Sequence, residues 1–381
     1  MGFLKRTAGF IVAFSVMLSV IVAYSRDISS LTAKSFILME SSTGRVLLEN
    51  NADVPLPPAS ITKIMTILLV MEDIAAGKIT YDDMVTASER AKSMGGSTIF
   101  LDAGERMSVH DLLKGIVVAS GNDASVAIAE HLEGSVEAFV DRMNKRAAEL
   151  GMTNTVFKNT NGLPAEGHVM SARDIAIVSN ELLKHKKIFD YTKIWTDSLR
   201  GGEFLLANTN RLIRFYEGAN GLKTGSTDEA GCCISAGAER NGMQLIAVVM
   251  GCPTSNDRFE DAKALLDYGF LNYSLWYGPG IDTPLGEIEV KKGREDAVSY
   301  VPESGMYDLL KKSDAGHEEL VFERDEFVNA PVIKGQVIGK VRCVVGGETV
   351  SEVNLVATAD VKRIGLWQLQ KKMLGLLLRT V

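Results

Sequence analysis

Four cysteines, five histidines and no cluster of basic residues interleaved with aromatics stand in 381 residues, and each scarcity closes a class of function. A net charge of −7 without a basic patch argues against a nucleic-acid partner. The histidines are scattered, no His/Cys spacing suggests a metal site, and nothing in the chain asks for a cofactor. His168, the one nearest the motifs below, reads as a surface or loop residue. Cys232, Cys233, Cys252 and Cys343 make no disulfide framework. Asn241-Gly242 reads as a two-residue hairpin turn that pairs Arg240 with Met243 and so sets Cys252 opposite Gly231. Cys233 and Cys252 then lie diagonally, about 7–8 Å apart at the α-carbons, beyond the usual disulfide range. All four are expected to be small buried residues. Internal repeats and low-complexity stretches are absent too.

What is present begins with length, which suggests two or three domains, and with 46% apolar residues to fill their cores. Residues 1–25 have the shape of a secretory signal: Lys5 and Arg6, an apolar run over 8–23, then Ala23-Tyr24-Ser25 as a small-x-small cleavage site. An uncleaved N-terminal anchor is the other reading. Either way the working domain is expected outside the cytoplasmic membrane.

Ser35–Glu40 and 45–49 read as a hairpin around Ser41-Ser42-Thr43-Gly44. Pro55, Pro57 and Pro58 keep the next segment extended, and 61–76 is apolar almost all round, which predicts a central buried helix with Ser60 at its start. Capped, amphipathic helices follow over 108–119, 122–134, 135–150 and 171–185, then strands over 221–225, 231–239 and 244–252 and a closing helix over 255–270. Strands at both ends with helices between them indicate one sheet assembled from the two ends and covered by helices, an α/β (α+β) domain over 27–275. From 283 to 360 the chain turns to short alternating strands with turns such as Val345-Gly346-Gly347-Glu348, a small all-β domain.

Residues 362–381 carry Lys362, Arg363, Lys371, Lys372 and Arg379 and no acidic side chain, with apolar residues over most of the remaining face. The segment is too short and too interrupted by charge to span a bilayer. It suits an amphipathic helix lying in a membrane surface, the alternative being a helix docked on its own protein.

Three short motifs carry the chemistry. Ser60-Ile61-Thr62-Lys63 sets a hydroxyl and an amine one helical turn apart, facing the same space. A serine is a poor nucleophile until a base takes its proton, and an unprotonated lysine can be that base. Burial and the field of a second cation, Lys223, would lower the pKa of Lys63 to that end. Ser120-Gly121-Asn122 adds a hydroxyl and an amide, and Lys223-Thr224-Gly225 a cation on a strand.

In this order the motifs resemble those of the penicillin-interacting serine enzymes, more narrowly the low-molecular-weight penicillin-binding proteins of the D-alanyl-D-alanine carboxypeptidase type. Pro58-Ala59-Ser60-Ile61-Thr62-Lys63-Ile64-Met65-Thr66, Ser120-Gly121-Asn122-Asp123-Ala124, Asn161-Gly162-Leu163-Pro164, Ser171-Ala172-Arg173-Asp174 and Gly221-Leu222-Lys223-Thr224-Gly225 carry the likeness, which runs from about residue 27 nearly to the end. It implies a β-lactamase/transpeptidase-like domain with a mostly antiparallel sheet, and an enzyme that removes the terminal D-Ala of peptidoglycan stem peptides through an acyl-serine, with β-lactams as mimics. On that likeness Ser60 is the nucleophile, Lys63 the base and Ser120 a proton relay to the leaving amine. Asn122 orients Lys63 and the peptide, Lys223 and Thr224 bind the terminal carboxylate, and Gly225 lets the ligand approach. The backbone N–H groups of Ser60 and Ser226 form the oxyanion hole. The family often ends in a membrane anchor. A class A β-lactamase would need an E-x-x-L-N loop, from which Glu166-Gly167-His168-Val169-Met170 departs. A transpeptidase, an endopeptidase or a silent envelope binding protein could keep the same frame.

Overall fold

A computed structural model describes residues 26–370; the leader expected over 1–25 and most of the terminal helix lie outside them. The chain divides into two compact units, Met1–Gly269 and Phe270–Val381.

The first unit is built on a five-stranded sheet. Its strands are β1 (Ser35–Glu40), β2 (Val46–Asn50), β3 (Ala219–Thr227), β4 (Gly231–Arg240) and β5 (Met243–Cys252), in the order β2-β1-β5-β4-β3. Every neighbouring pair is antiparallel, so the first hairpin of the chain is sewn onto strands some 200 positions later. Asn241 (φ 51°) and Gly242 (φ 78°) make the expected left-handed two-residue turn between β4 and β5, with Arg240 opposite Met243.

Six longer helices accompany the sheet: α1 (Lys63–Ala75), α2 (Val109–Val118), α3 (Asn122–Glu133), α4 (Val136–Glu149), α5 (Ala172–Lys184) and α6 (Ser255–Asn272). Their starts follow the capping logic of the sequence. The Ser108, Ser135 and Ser171 side chains each accept from the backbone N–H three residues on. α1 is apolar on nearly every side because it runs through the centre of the unit, where Ile64, Met65, Leu68 and Val70 are fully enclosed.

Two details depart from the sequence reading. The chain enters α1 through a 3₁₀ turn, Ala59–Thr62, so Ser60 sits in that tighter turn and the α-helix proper opens at Lys63. The cysteine register also differs. Pairing shifts by one residue between Cys232 and Ile234, so Cys252 faces Cys232 rather than Gly231. The bulge is made near Gly251, whose φ of +73° takes up the extra residue. All four cysteines are free thiols; Cys233, Cys252 and Cys343 are buried and Cys232 is half-buried.

The second unit is a β-structure, as its alternating pattern predicts. Strands β6 (Gly286–Lys291), β7 (Ala297–Pro302), β8 (Glu319–Arg324), β9 (Phe327–Asn329), β10 (Val337–Val345) and β11 (Glu348–Ala357) form a sheet in the order β8-β10-β11-β7-β6-β9. Its core gathers one face of that alternation, including Ile288, Val290, Val298, Val341 and Leu355. Gly346 and Gly347, both at positive φ, turn β10 into β11. Past this sheet a helix has begun by residues 366–370, with Leu366 and Trp367 about four-fifths exposed. Among the described residues no helix is long and apolar enough to cross a membrane.

Candidate active site

Ser60 is held by its backbone before its side chain is considered. Ala59, the residue before it, takes φ +49°, a conformation disfavoured for any residue with a Cβ. Two glycines close on this strained link from either side. A Cβ on Gly162 (φ +88°) would stand 1.8 Å from the Ala59 carbonyl oxygen and 2.9 Å from Ser60 N. One on Gly225 would stand 2.8 Å from Ser60 N and 3.0 Å from Pro58 O. Both approaches are possible only without a side chain. They explain why Asn161-Gly162-Leu163-Pro164 and Lys223-Thr224-Gly225, far apart in sequence, belong to one site.

Lys63, at the first turn of α1, is fully buried. Its Nζ lies 2.9 Å from Ser60 Oγ and donates to Asn122 Oδ1 and to the Asn161 carbonyl, each at 2.7 Å. Burial pushes its pKa well below the ordinary lysine value, the Lys223 cation pushes the same way, and the Asp123 carboxylate opposes them. A neutral amine has two hydrogens and one lone pair. The hydrogens are taken by two oxygens that can only accept, so the lone pair is left facing the Ser60 hydroxyl. That is the geometry of a base beside a nucleophile.

Ser120-Gly121-Asn122 reaches this point because the turn from α2 into α3 is left-handed at Ser120 (φ +63°). Ser120 and Asn122 are both buried. The Asn122 amide cannot be flipped, since its Oδ1 accepts from Lys63 while its Nδ2 donates to the Gly95 carbonyl at 2.7 Å. Its backbone N–H donates to Ser97 O, and the adjoining Asp123 carboxylate accepts from Ile99 N and Leu101 N. Loop 95–101 is thereby fastened onto the same turn.

On β3, Lys223 is buried with its Nζ donating to the Thr224 carbonyl at 3.2 Å. Burial and the nearby Arg258 cation bring its pKa down to about 7. The Thr224 hydroxyl donates to Thr209 Oγ1 at 2.7 Å, and Ser226 beyond Gly225 is exposed. One edge of the sheet thus presents a cation and a hydroxyl close to Ser60, a set suited to an anionic end group.

The geometry adds residues that the motifs do not name. The Asn161 carbonyl is the third contact of Lys63. His168 is buried, not a surface residue: its Nδ1 accepts from Lys158 N at 2.9 Å, so Nε2 carries the hydrogen and donates to Thr62 Oγ1 at 2.7 Å. Thr62 in turn donates to the Ala59 carbonyl at 2.9 Å, and the chain of bonds braces the strained link. Burial lowers the His168 pKa to about 4, which keeps this ring neutral. The spacing of His168 from Asn161-Gly162-Leu163-Pro164 is the one signal for it. Thr209 carries none. Among the described residues no group of His, Cys, Asp and Glu is arranged to hold a metal ion.

Comparison with known proteins identifies the family. The family model described as D-alanyl-D-alanine carboxypeptidase, peptidase S11, matches residues 22–254. The one described as the C-terminal domain of penicillin-binding protein 5 matches 281–363. The chain is 43% identical over 347 residues to the D-alanyl-D-alanine carboxypeptidase DacF of Bacillus subtilis, covering 90% of this chain and 89% of that one. The crystal structure of penicillin-binding protein 5 from Haemophilus influenzae is similar with a TM-score of 0.76 and 34% identity, over 87% of this chain and 98% of that one. Penicillin-binding protein D2 of Listeria monocytogenes, solved in an ampicillin-bound form, is similar with a TM-score of 0.58 and 31% identity, over 63% of this chain and 98% of that one. The family model over residues 22–254 and the 43% identity carried across nine-tenths of the sequence lead to one conclusion: this chain belongs to the family of D-alanyl-D-alanine carboxypeptidases.

Proposed function

We propose that the chain is a serine D-alanyl-D-alanine carboxypeptidase that trims the terminal D-Ala from peptidoglycan stem peptides and is acylated by β-lactams. The observation that carries the site assignment is the buried Nζ of Lys63, 2.9 Å from Ser60 Oγ and 2.7 Å from two oxygens that can only accept. The terminal carboxylate of the peptide meets Lys223 and Thr224, which sets the D-Ala-D-Ala carbonyl over Ser60. Lys63 takes the hydroxyl proton as Oγ attacks. The negative charge on the carbonyl oxygen is met by the backbone N–H groups of Ser60 and Ser226. As the tetrahedral intermediate collapses, the C–N bond breaks and the proton reaches the leaving amine through Ser120. Water then attacks the acyl-serine by the same base, and the shortened peptide leaves.

A β-lactam offers the same carbonyl and carboxylate, but its amine stays tethered, so the acyl-enzyme persists. Ser60→Ala tests the assignment. Labelling by a fluorescent penicillin and release of D-Ala from a pentapeptide should both vanish while the melting temperature holds. Labelling that persists would move the nucleophile elsewhere.

Such a substrate requires a place outside the cytoplasmic membrane. The signal-like leader over 1–25 supports export, with the catalytic domain over 27–275, the β-domain over 283–360 and the cationic, apolar tail over 362–381 as a peripheral anchor. The exposed Leu366 and Trp367 support the anchor. Deleting 362–381 should release the processed protein into the soluble fraction with activity on soluble peptides unchanged. Retention in the membrane pellet would shift anchoring to the N-terminal segment.

A further inference from the structure

Arg258 stands one turn into α6, 8% exposed, and donates from Nη1 to the Gly225 carbonyl at 3.1 Å. Its Nε is buried without a partner, and among the described residues no carboxylate pairs with it. The charges near it include another cation, Arg211, and its guanidinium lies over the Phe259 ring at 4.8 Å. A guanidinium buried with no anion is costly, and a phenyl face offsets only part of that cost. What this cation does hold is one peptide group.

That peptide matters through its other end. Gly225 C=O and Ser226 N–H belong to a single planar unit and point in opposite directions, so whatever fixes the oxygen fixes the hydrogen. Gly225 is also the residue that packs against Ser60 N. We propose that Arg258 is a positioning residue for the oxyanion hole: by gripping the Gly225 carbonyl it aims Ser226 N–H beside Ser60 N–H, and its charge polarises that peptide. A cation at the carbonyl makes the N–H a stronger donor, an effect worth most when the oxyanion forms. The inference rests on the acyl-serine reading above. It differs from a second carboxylate-binding role for the arginine, which would act on ligand binding and not on the chemical step.

The test compares wild type with Arg258→Met, which removes the grip, and Arg258→Gln, which keeps an N–H donor without the charge. Acylation by a fluorescent penicillin is followed with kcat and KM for a peptide ending in free D-Ala-D-Ala and for its C-terminal amide. Arg258→Met should slow acylation about 10- to 100-fold. It should lower kcat by the same factor on acid and amide and leave KM near wild type. Arg258→Gln should recover part of the rate. Melting temperatures should hold or rise, because an uncompensated buried charge is gone. Acylation within threefold of wild type in Arg258→Met would overturn the inference. So would a loss confined to the free-acid peptide, or failure of both variants to fold, which would make the arginine structural. Absence of Ser60-dependent labelling in the wild type would bring down the acyl-serine reading itself.

Discussion

The surroundings of Ser60 in the first unit and the sheet of the second treat charge in opposite ways. In the first, Lys63, Lys223 and Arg258 are buried without a single ion pair among them in the described residues, and each is held by backbone carbonyls or an amide. In the second, charges pair across the exposed face of a sheet, as in Lys340 with Glu352 and Arg342 with Glu323. The β-unit follows the rule that charges stay in water. Around one serine the catalytic unit breaks it twice, with Lys223 and Arg258, beside a Lys63 amine that burial drives toward neutrality, and buried cations without partners are the mark of a site whose counter-charge arrives with the ligand or develops during reaction.

Lys63→Arg should strike that contrast hardest. A guanidinium keeps the charge but cannot give up its proton near neutrality, so acylation should fall by roughly a thousandfold or more in stopped-flow penicillin binding. Comparable rates would mean that another group accepts the Ser60 proton. Next comes Gly162→Ala, where a methyl would collide with the Ala59 carbonyl in a backbone that already disfavours a Cβ. Stability should drop by roughly 2–4 kcal/mol in urea unfolding, with acylation lost along with it. A folded variant that labels at the wild-type rate would show the pinch to be dispensable.

A subtler break uses pH. Lys223 is brought to about 7, so its charge fades as the pH climbs through that value. kcat/KM for a free-acid peptide should then decline above pH 7 by up to about tenfold per unit, while the amide declines less. Parallel profiles would refute carboxylate binding by Lys223. Stability should move the other way. An unfolded lysine stays protonated up to about 10.5, so between 7 and 10.5 the unfolded chain holds more protons and folding strengthens with rising pH. Lys223→Met should flatten that rise in the unfolding midpoint. Smallest of all, Glu352→Gln in the β-unit should leave both unfolding midpoint and kinetics unchanged, since its partner remains solvated. A clear loss there would erase the contrast between the units.

Much of this was legible in the residues. An apolar run on nearly every side marked α1 as a central helix, serine caps opened α2, α4 and α5, and Asn241-Gly242 set the β4–β5 turn. Ser60 and Lys63 meet as their one-turn spacing suggests, while Asn122 on Lys63 and Gly225 against Ser60 N follow what the family resemblance implies. What escaped depends on three-dimensional crowding. The bulge that sets Cys232 against Cys252 lies at the far end of its hairpin, where counting from the turn cannot detect an added residue. Arg258 sits near the start of a charged helix and looks solvated until Gly225 is seen above it. His168 is surrounded in sequence by exposed loop residues, and only the fold closes Phe157 and Thr62 around it. The 3₁₀ entry at Ser60 is packed by glycines 102 and 165 positions away.

The pinch of Gly162 and Gly225 on the Ser60 backbone also bears on how this protein could change under antibiotic pressure. In the proposed mechanism peptide and β-lactam both rely on the Ser60 amide in the same place, so a substitution that moved it would penalise wall substrate and inhibitor alike. Drug escape at this locus is therefore closed to simple backbone change. Routes that separate the two ligands remain: faster hydrolysis of the tethered acyl group, or an altered rim that admits a flexible peptide and turns away a fused ring.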